Sequence, residues 1–127
     1  MPATTVMYFM EPDGSRPVFD WLLAIQDVVA IANLVERIES LEREGYRLPE
    51  PAAKQLGNGM RELRAKRGRV QYRILCCFVY NVAVLLHGCT KERVIEPADM
   101  KRAVDRKIQV EQNFKSCVWP RNKDELK

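Results

Sequence analysis

The chain has 127 residues, 46% of them apolar and 30% charged, with a formal net charge of +4; this suits one globular domain burying about two-thirds of its unfolded surface, and excludes a disordered chain. No apolar run approaches the roughly 18 residues needed to cross a bilayer and the first residues lack a signal-peptide pattern, so a cytoplasmic protein without membrane contact is expected. The four cysteines show no CxxC spacing and there is one histidine, which points to free thiols and to neither metal nor cofactor.

Residues 4–10, TTVMYFM, are β-branched, aromatic and uncharged, the pattern of a strand ending at the turn residues Glu11-Pro12-Asp13-Gly14. Ser15 is placed to cap a helix with Pro17 in its first turn, and Val18, Trp21, Leu22 and Ile25 fall on one side of it, widened by Phe19 and Leu23. Asp27 is placed to cap a second helix, whose Ile31, Leu34, Val35, Ile38 and Leu41 follow helical spacing up to a stop at Gly45. Residues 46–59 hold Pro49, Pro51, Gly57 and Gly59 and read as a loop leading into a sheet. Met60 to Lys66 alternate as a strand, Lys66-Arg67-Gly68-Arg69 turn the chain, and the apolar runs Val70–Val79 and Val82–Cys89 form a hairpin about Tyr80-Asn81. Pro97 opens a last helix with Met100, Ala103, Val104 and Ile108 as its apolar stripe. Residues 114–127 carry no periodicity and read as a flexible tail docking through Trp119, which leaves 1–113 as the domain. The expectation is an α+β fold with a twisted, antiparallel-dominated sheet of about four strands. Two N-terminal helices cover one face, and a C-terminal helix packs on the sheet.

Charge is distributed unevenly. Between residues 54 and 73 stand Lys54, Arg61, Arg64, Lys66, Arg67, Arg69 and Arg73 against Glu62 alone, so this stretch carries more positive charge than the whole chain. Such a local excess points to a polyanion met on one face. Arg73 is a charge in an otherwise apolar strand, a costly placement unless it reaches an anion or an edge.

The same stretch carries a resemblance. Leu56-Gly57-Asn58-Gly59-Met60-Arg61-Glu62-Leu63-Arg64, then Tyr72-Arg73-Ile74-Leu75, then Leu85-Leu86-His87-Gly88-Cys89-Thr90-Lys91 before Pro97 resembles the RelE/ParE toxin superfamily, in particular its HigB-like and phage-derived branch. That resemblance implies the toxin of a type II toxin-antitoxin pair, a ribosome-dependent messenger RNA endonuclease working without metal. The 2′-OH attacks the adjacent phosphate, leaving a 2′,3′-cyclic phosphate and a 5′-OH. It further implies a cognate antitoxin with a helix-turn-helix fold, the ribosome and mRNA as partners, and operator DNA only through the antitoxin. Two positions depart from the pattern, Cys89 standing for an aromatic and Glu92 for the second of paired lysines.

For that chemistry Arg64 and Arg73 suit phosphate binding through planar forks, and Lys91 or Lys66 suits proton transfer if its pKa is lowered. Arg61, Lys66, Arg67 and Arg69 are expected to contact RNA, and Tyr72 is either a packing residue or a base-stacking RNA contact. His87 is either the conventional proton carrier or a hydrogen-bonded core residue. A two-residue turn at Tyr80-Asn81 sets Arg73 opposite Gly88 and sends His87 to the other face, whereas a one-residue shift brings His87 to the side of Arg73. Two alternatives share the fold: a ParE-like, non-enzymatic gyrase inhibitor, and a nucleic-acid-binding prophage relic that cleaves nothing.

Overall fold

A computed structural model of the chain describes residues 3–90, 94–122 and 124–126. In chain order these are β1 (Thr5–Phe9), α1 (Pro17–Ala24), α2 (Val28–Glu44), a 3-10 turn (Gly45–Arg47), β2 (Ala53–Gly57), β3 (Met60–Arg67), β4 (Val70–Val79), β5 (Val82–Thr90), α3 (Pro97–Gln112), a second 3-10 turn (Phe114–Ser116) and β6 (Val118–Pro120). Six strands form one sheet in the order β2-β3-β4-β5-β1-β6. Its pairings are antiparallel except β1 with β5. No helix among the described residues is long and apolar enough to cross a membrane.

The α+β expectation holds, but the sheet is wider than the four strands expected. β2 lies in a segment that reads as a loop, because a short edge strand can tolerate the neighbouring prolines and glycines. β6 comes from the stretch read as a flexible tail, and pairs Tyr8 with Trp119 and Phe9 with Val118. Arg121, 2% exposed, meets the Glu42 carboxylate at 2.9 Å and so ties this segment to α2.

Both faces of the sheet are covered at their centre. On one side Val18, Leu22, Leu34, Ile38 and Leu41 of α1 and α2 pack on Tyr8, Leu63, Ile74 and Leu85. On the other, Ala103 and Val110 of α3 pack on Phe9, Leu75, Val84 and Leu86. Asp27 caps α2 as expected, accepting from the backbone N–H of Val29 at 2.9 Å and Ala30 at 3.3 Å. The cap expected of Ser15 does not form: α1 opens on Arg16 with Pro17 in its first turn and no side-chain cap. Ile108, placed by spacing in the apolar stripe of α3, is 44% exposed, and Val110 is buried instead.

The β4–β5 hairpin turns through Tyr80 and Asn81, both at positive φ, which is the two-residue turn that matches strand twist. From it the register runs Val79 to Val82, Phe78 to Ala83, Cys77 to Val84 and Cys76 to Leu85. There a bulge intervenes, and Leu75 faces His87, Ile74 faces Gly88 and Arg73 faces Cys89. The extra residue is Leu86, and every side chain beyond it is reversed in face relative to an unbroken ladder.

Candidate nucleic-acid interface

Alternation along β3 sends Leu63 and Ala65 into the α1/α2 core, and Met60, Glu62, Arg64 and Lys66 to the opposite face. On β4 the same rule puts Tyr72 and Ile74 under the helices and Arg73 and Leu75 on the other side. The bulge at Leu86 then delivers His87 and Cys89 to that second face, in line with Leu75 and Arg73. Glu62, Arg64, Arg73, Cys89 and His87 therefore form a polar row across three strands, beside the first turn of α3.

Arg64 and Arg73 are direct cross-strand partners. Two like charges in that relation repel, and Glu62 supplies the remedy. Its carboxylate, 1% exposed, is hydrogen-bonded by Arg64 Nε and lies 3.5 Å from an Arg73 guanidinium nitrogen. Arg73 also donates to Gln71 at 3.3 Å. The side chain of Arg73 is 4% exposed and that of Arg64 31%, so Arg64 is the outward-facing member and Arg73 the inner one.

Lys66 and Arg69 are exposed at the β3–β4 turn that continues this face. Arg67 is also exposed but reaches the helix side, where its Nε donates to Asp27 at 2.9 Å. Arg61 is placed elsewhere than the RNA-facing surface expected of it. It is 9% exposed, and its guanidinium donates to the carbonyls of Tyr46 at 2.6 Å and Leu48 at 2.7 Å. Tyr72 too is on the helix-covered face, its ring edge-on to Trp21 at 6.2 Å, so its place is packing and not base stacking. Strand alternation separates Arg61 and Tyr72 from Arg64 and Arg73, a signal the sequence carried and charge counting passes over. Lys91 lies outside the described residues.

His87 sits in a hydrogen-bonded set completed by α3. Its Nε2 is 2.7 Å from the Asp99 carboxylate and its Nδ1 is 3.2 Å from Arg106, which also donates to the Leu86 carbonyl at 2.9 Å. A guanidinium can only donate, so Nδ1 is the acceptor and the ring proton resides on Nε2, pointing at Asp99. Burial, opposed by Asp99 and aided by Arg106 and Arg102, holds the His87 pKa below its ordinary value, in keeping with a neutral ring. The carbonyl that Arg106 takes belongs to the bulged residue, so the register shift and the histidine's partner are locked by one side chain. Glu62, Asp99 and Arg106 had no place in the sequence reading of the site. The seven-residue spacing of Asp99 and Arg106, two helical turns, would have placed them on one stripe.

His87, Cys89 and Asp99 hold ligand-type atoms within 4.8 Å of one another. A cation on Nε2 would oblige Nδ1 to carry the proton and face the Arg106 donor, so the group as built suits a hydrogen-bond relay better than a metal centre. With both ring nitrogens engaged, His87 orders β5 against α3 in this arrangement. The row can bind an anion through the Arg64 fork, supported from behind by Arg73 and Glu62.

A family model described as Phage derived protein Gp49-like (DUF891) matches residues 20–109, a span that contains the whole row and its α3 partners. No curated protein matches the chain significantly.

Proposed function

Since the chain belongs to the Gp49-like family of phage-derived proteins, a family associated with RelE-like toxins, we propose that it is the HigB-like toxin of a type II toxin-antitoxin pair, cutting messenger RNA on the ribosome. The observation that supports this reading is the cross-strand pair Arg64 and Arg73 on the sheet face shared with α3, with Arg64 partly exposed and Arg73 buried behind it. In the proposed reaction the 2′-OH of one nucleotide attacks the next phosphate, the 5′-oxygen leaves with a proton, and a 2′,3′-cyclic phosphate remains. Arg64 holds the phosphate oxygens as charge builds on them, and Arg73 with Glu62 fixes that fork in place. Lys91 is the proposed proton carrier, a role that requires a lysine pKa below its ordinary value. Lys66 and Arg69 take flanking phosphates. Positioning of the messenger by the ribosome supplies several further kcal/mol of the barrier. The proposed antitoxin is a helix-turn-helix protein encoded alongside, covering the cationic face with an acidic segment and carrying the pair to operator DNA.

Induction of the wild-type chain followed by primer extension on cellular messages tests the reading. Internal cuts that vanish with Arg64→Ala are the expected result, and intact messages in growth-arrested cells would overturn it. One observation favours a second, non-catalytic reading of ParE type: both nitrogens of the only histidine are engaged and Arg73 is buried. Under that reading the same induction gives DNA breaks with intact messages.

A further inference from the structure

The 3-10 turn Gly45–Arg47 lies beside the tip of the β4–β5 hairpin, far from the row just described. Tyr46, 62% exposed, stacks on Phe78 of β4 with ring centroids 3.8 Å apart and planes at 25°. Phe78 is five residues from Arg73 along the strand, about 17 Å at the usual rise, and belongs to the opposite, helix-side face. Phe78 backs one side of the Tyr46 ring, and among the described residues no second ring covers the other. Arg43, Arg47 and Asn81 line the adjoining cleft of about 440 Å³, together with Thr4 and Glu44, and both arginines are exposed.

The turn that presents Tyr46 is held firmly. Gly45 is buried at φ 57°, with Thr4 so close that no Cβ fits. Arg61 donates to the carbonyls on either side of Arg47, at 2.6 and 2.7 Å. A buried guanidinium carries a large desolvation cost, and here it fixes the backbone of a surface turn whose side chains point to solvent. Chain reversal alone does not require that, whereas a rigid stacking surface does.

We propose that Tyr46 is a second contact for single-stranded RNA, with a base stacked on its outer face and Arg43 and Arg47 on the adjacent phosphates. Two flanking cations and an amide at Asn81 fit a nucleotide better than an apolar peptide. The contact does not depend on the chain cleaving RNA.

The test uses the whole protein and a 2′-O-methyl oligouridine carrying one 5-iodouracil, which lacks the hydroxyl needed for cleavage and photocrosslinks to stacked aromatics. The expected result is a crosslink on Tyr46, weakened by salt and reduced at least fivefold in Arg43→Ala/Arg47→Ala, a variant of exposed residues that melts like the wild type. A crosslink confined to residues 64–73, or one on Tyr46 that the double substitution leaves undiminished, overturns the proposal. The first outcome would leave the platform without an RNA role, and the second would show that the two arginines do not hold the strand.

Discussion

Arg64 and Arg73 face each other across the β3–β4 ladder with the Glu62 carboxylate serving both guanidinium groups. One buried acid thus organises the cationic row, although by charge counting it is the lone exception within it. Removing the acid takes from both guanidinium groups a carboxylate that is itself buried. Glu62→Gln should destabilise the fold by about 3 kcal/mol, the scale of breaking a buried ion pair, and urea unfolding measures it. A midpoint equal to wild type would show that the pair is not what holds these strands in register.

Arg64 is the cleaner functional probe, because its side chain is 31% exposed while that of Arg73 is 4% exposed. Arg64→Ala should leave the melting temperature within a few degrees of wild type and, if the proposed nuclease reading holds, lower messenger cleavage by about a hundredfold, the scale of losing one charge-stabilising donor. Arg64→Lys should recover only part, since an ammonium cannot reproduce the planar fork. Primer extension at matched protein levels reads both.

The His87 pKa is held below its ordinary value by burial. The unfolded chain then binds more protons than the folded one between the folded pKa and about 6.5, so stability rises with pH across that window. The contribution is complete above about pH 6.5 and is lost as pH falls, because a proton on Nδ1 would meet the Arg106 donor. Thermal midpoints between pH 5 and 8 should fall on acidification, and His87→Gln should flatten that part of the profile.

Gly88 is opposite Ile74 with the Trp21 indole lying against its α-carbon, where a methyl group would overlap the ring. Gly88→Ala should cost about 2 kcal/mol through overpacking. The same substitution in a Trp21→Leu background should cost clearly less, because the two sites share one contact. A double-mutant cycle on urea midpoints tests this.

Periodicity carried the long elements. Helical spacing in Leu34, Ile38 and Leu41, the Asp27 cap and the β-branched runs about Tyr80-Asn81 all formed as read. The short edge strands were not legible, since Ala53–Gly57 and Val118–Pro120 owe their conformation to β3 and β1, not to local preference. Arg64 and Arg73 were legible as phosphate-binding candidates, and their cross-strand pairing comes from the β3–β4 register. The bulge at Leu86 was not, because that residue is as apolar as its neighbours and its distinguishing partner, Arg106, comes from a helix twenty residues later. Arg61 shows the limit of charge alone: strand parity assigned it to the helix side, where it braces the turn bearing Tyr46.

The placement of β1 has a consequence for biogenesis. Thr5–Phe9 finds its neighbours only in residues 82–90 and 118–120, so the sheet stays incomplete until residue 120 has cleared the exit tunnel. The β3–β5 meander can close earlier from local contacts and then offers β5 to one edge of β1, while the other edge of β1 stays unpaired until β6 emerges. Maturation of the sheet is therefore tied to the emergence of residues 118–120. A nascent copy remains unfinished for as long as the ribosome making it is still at work on these residues.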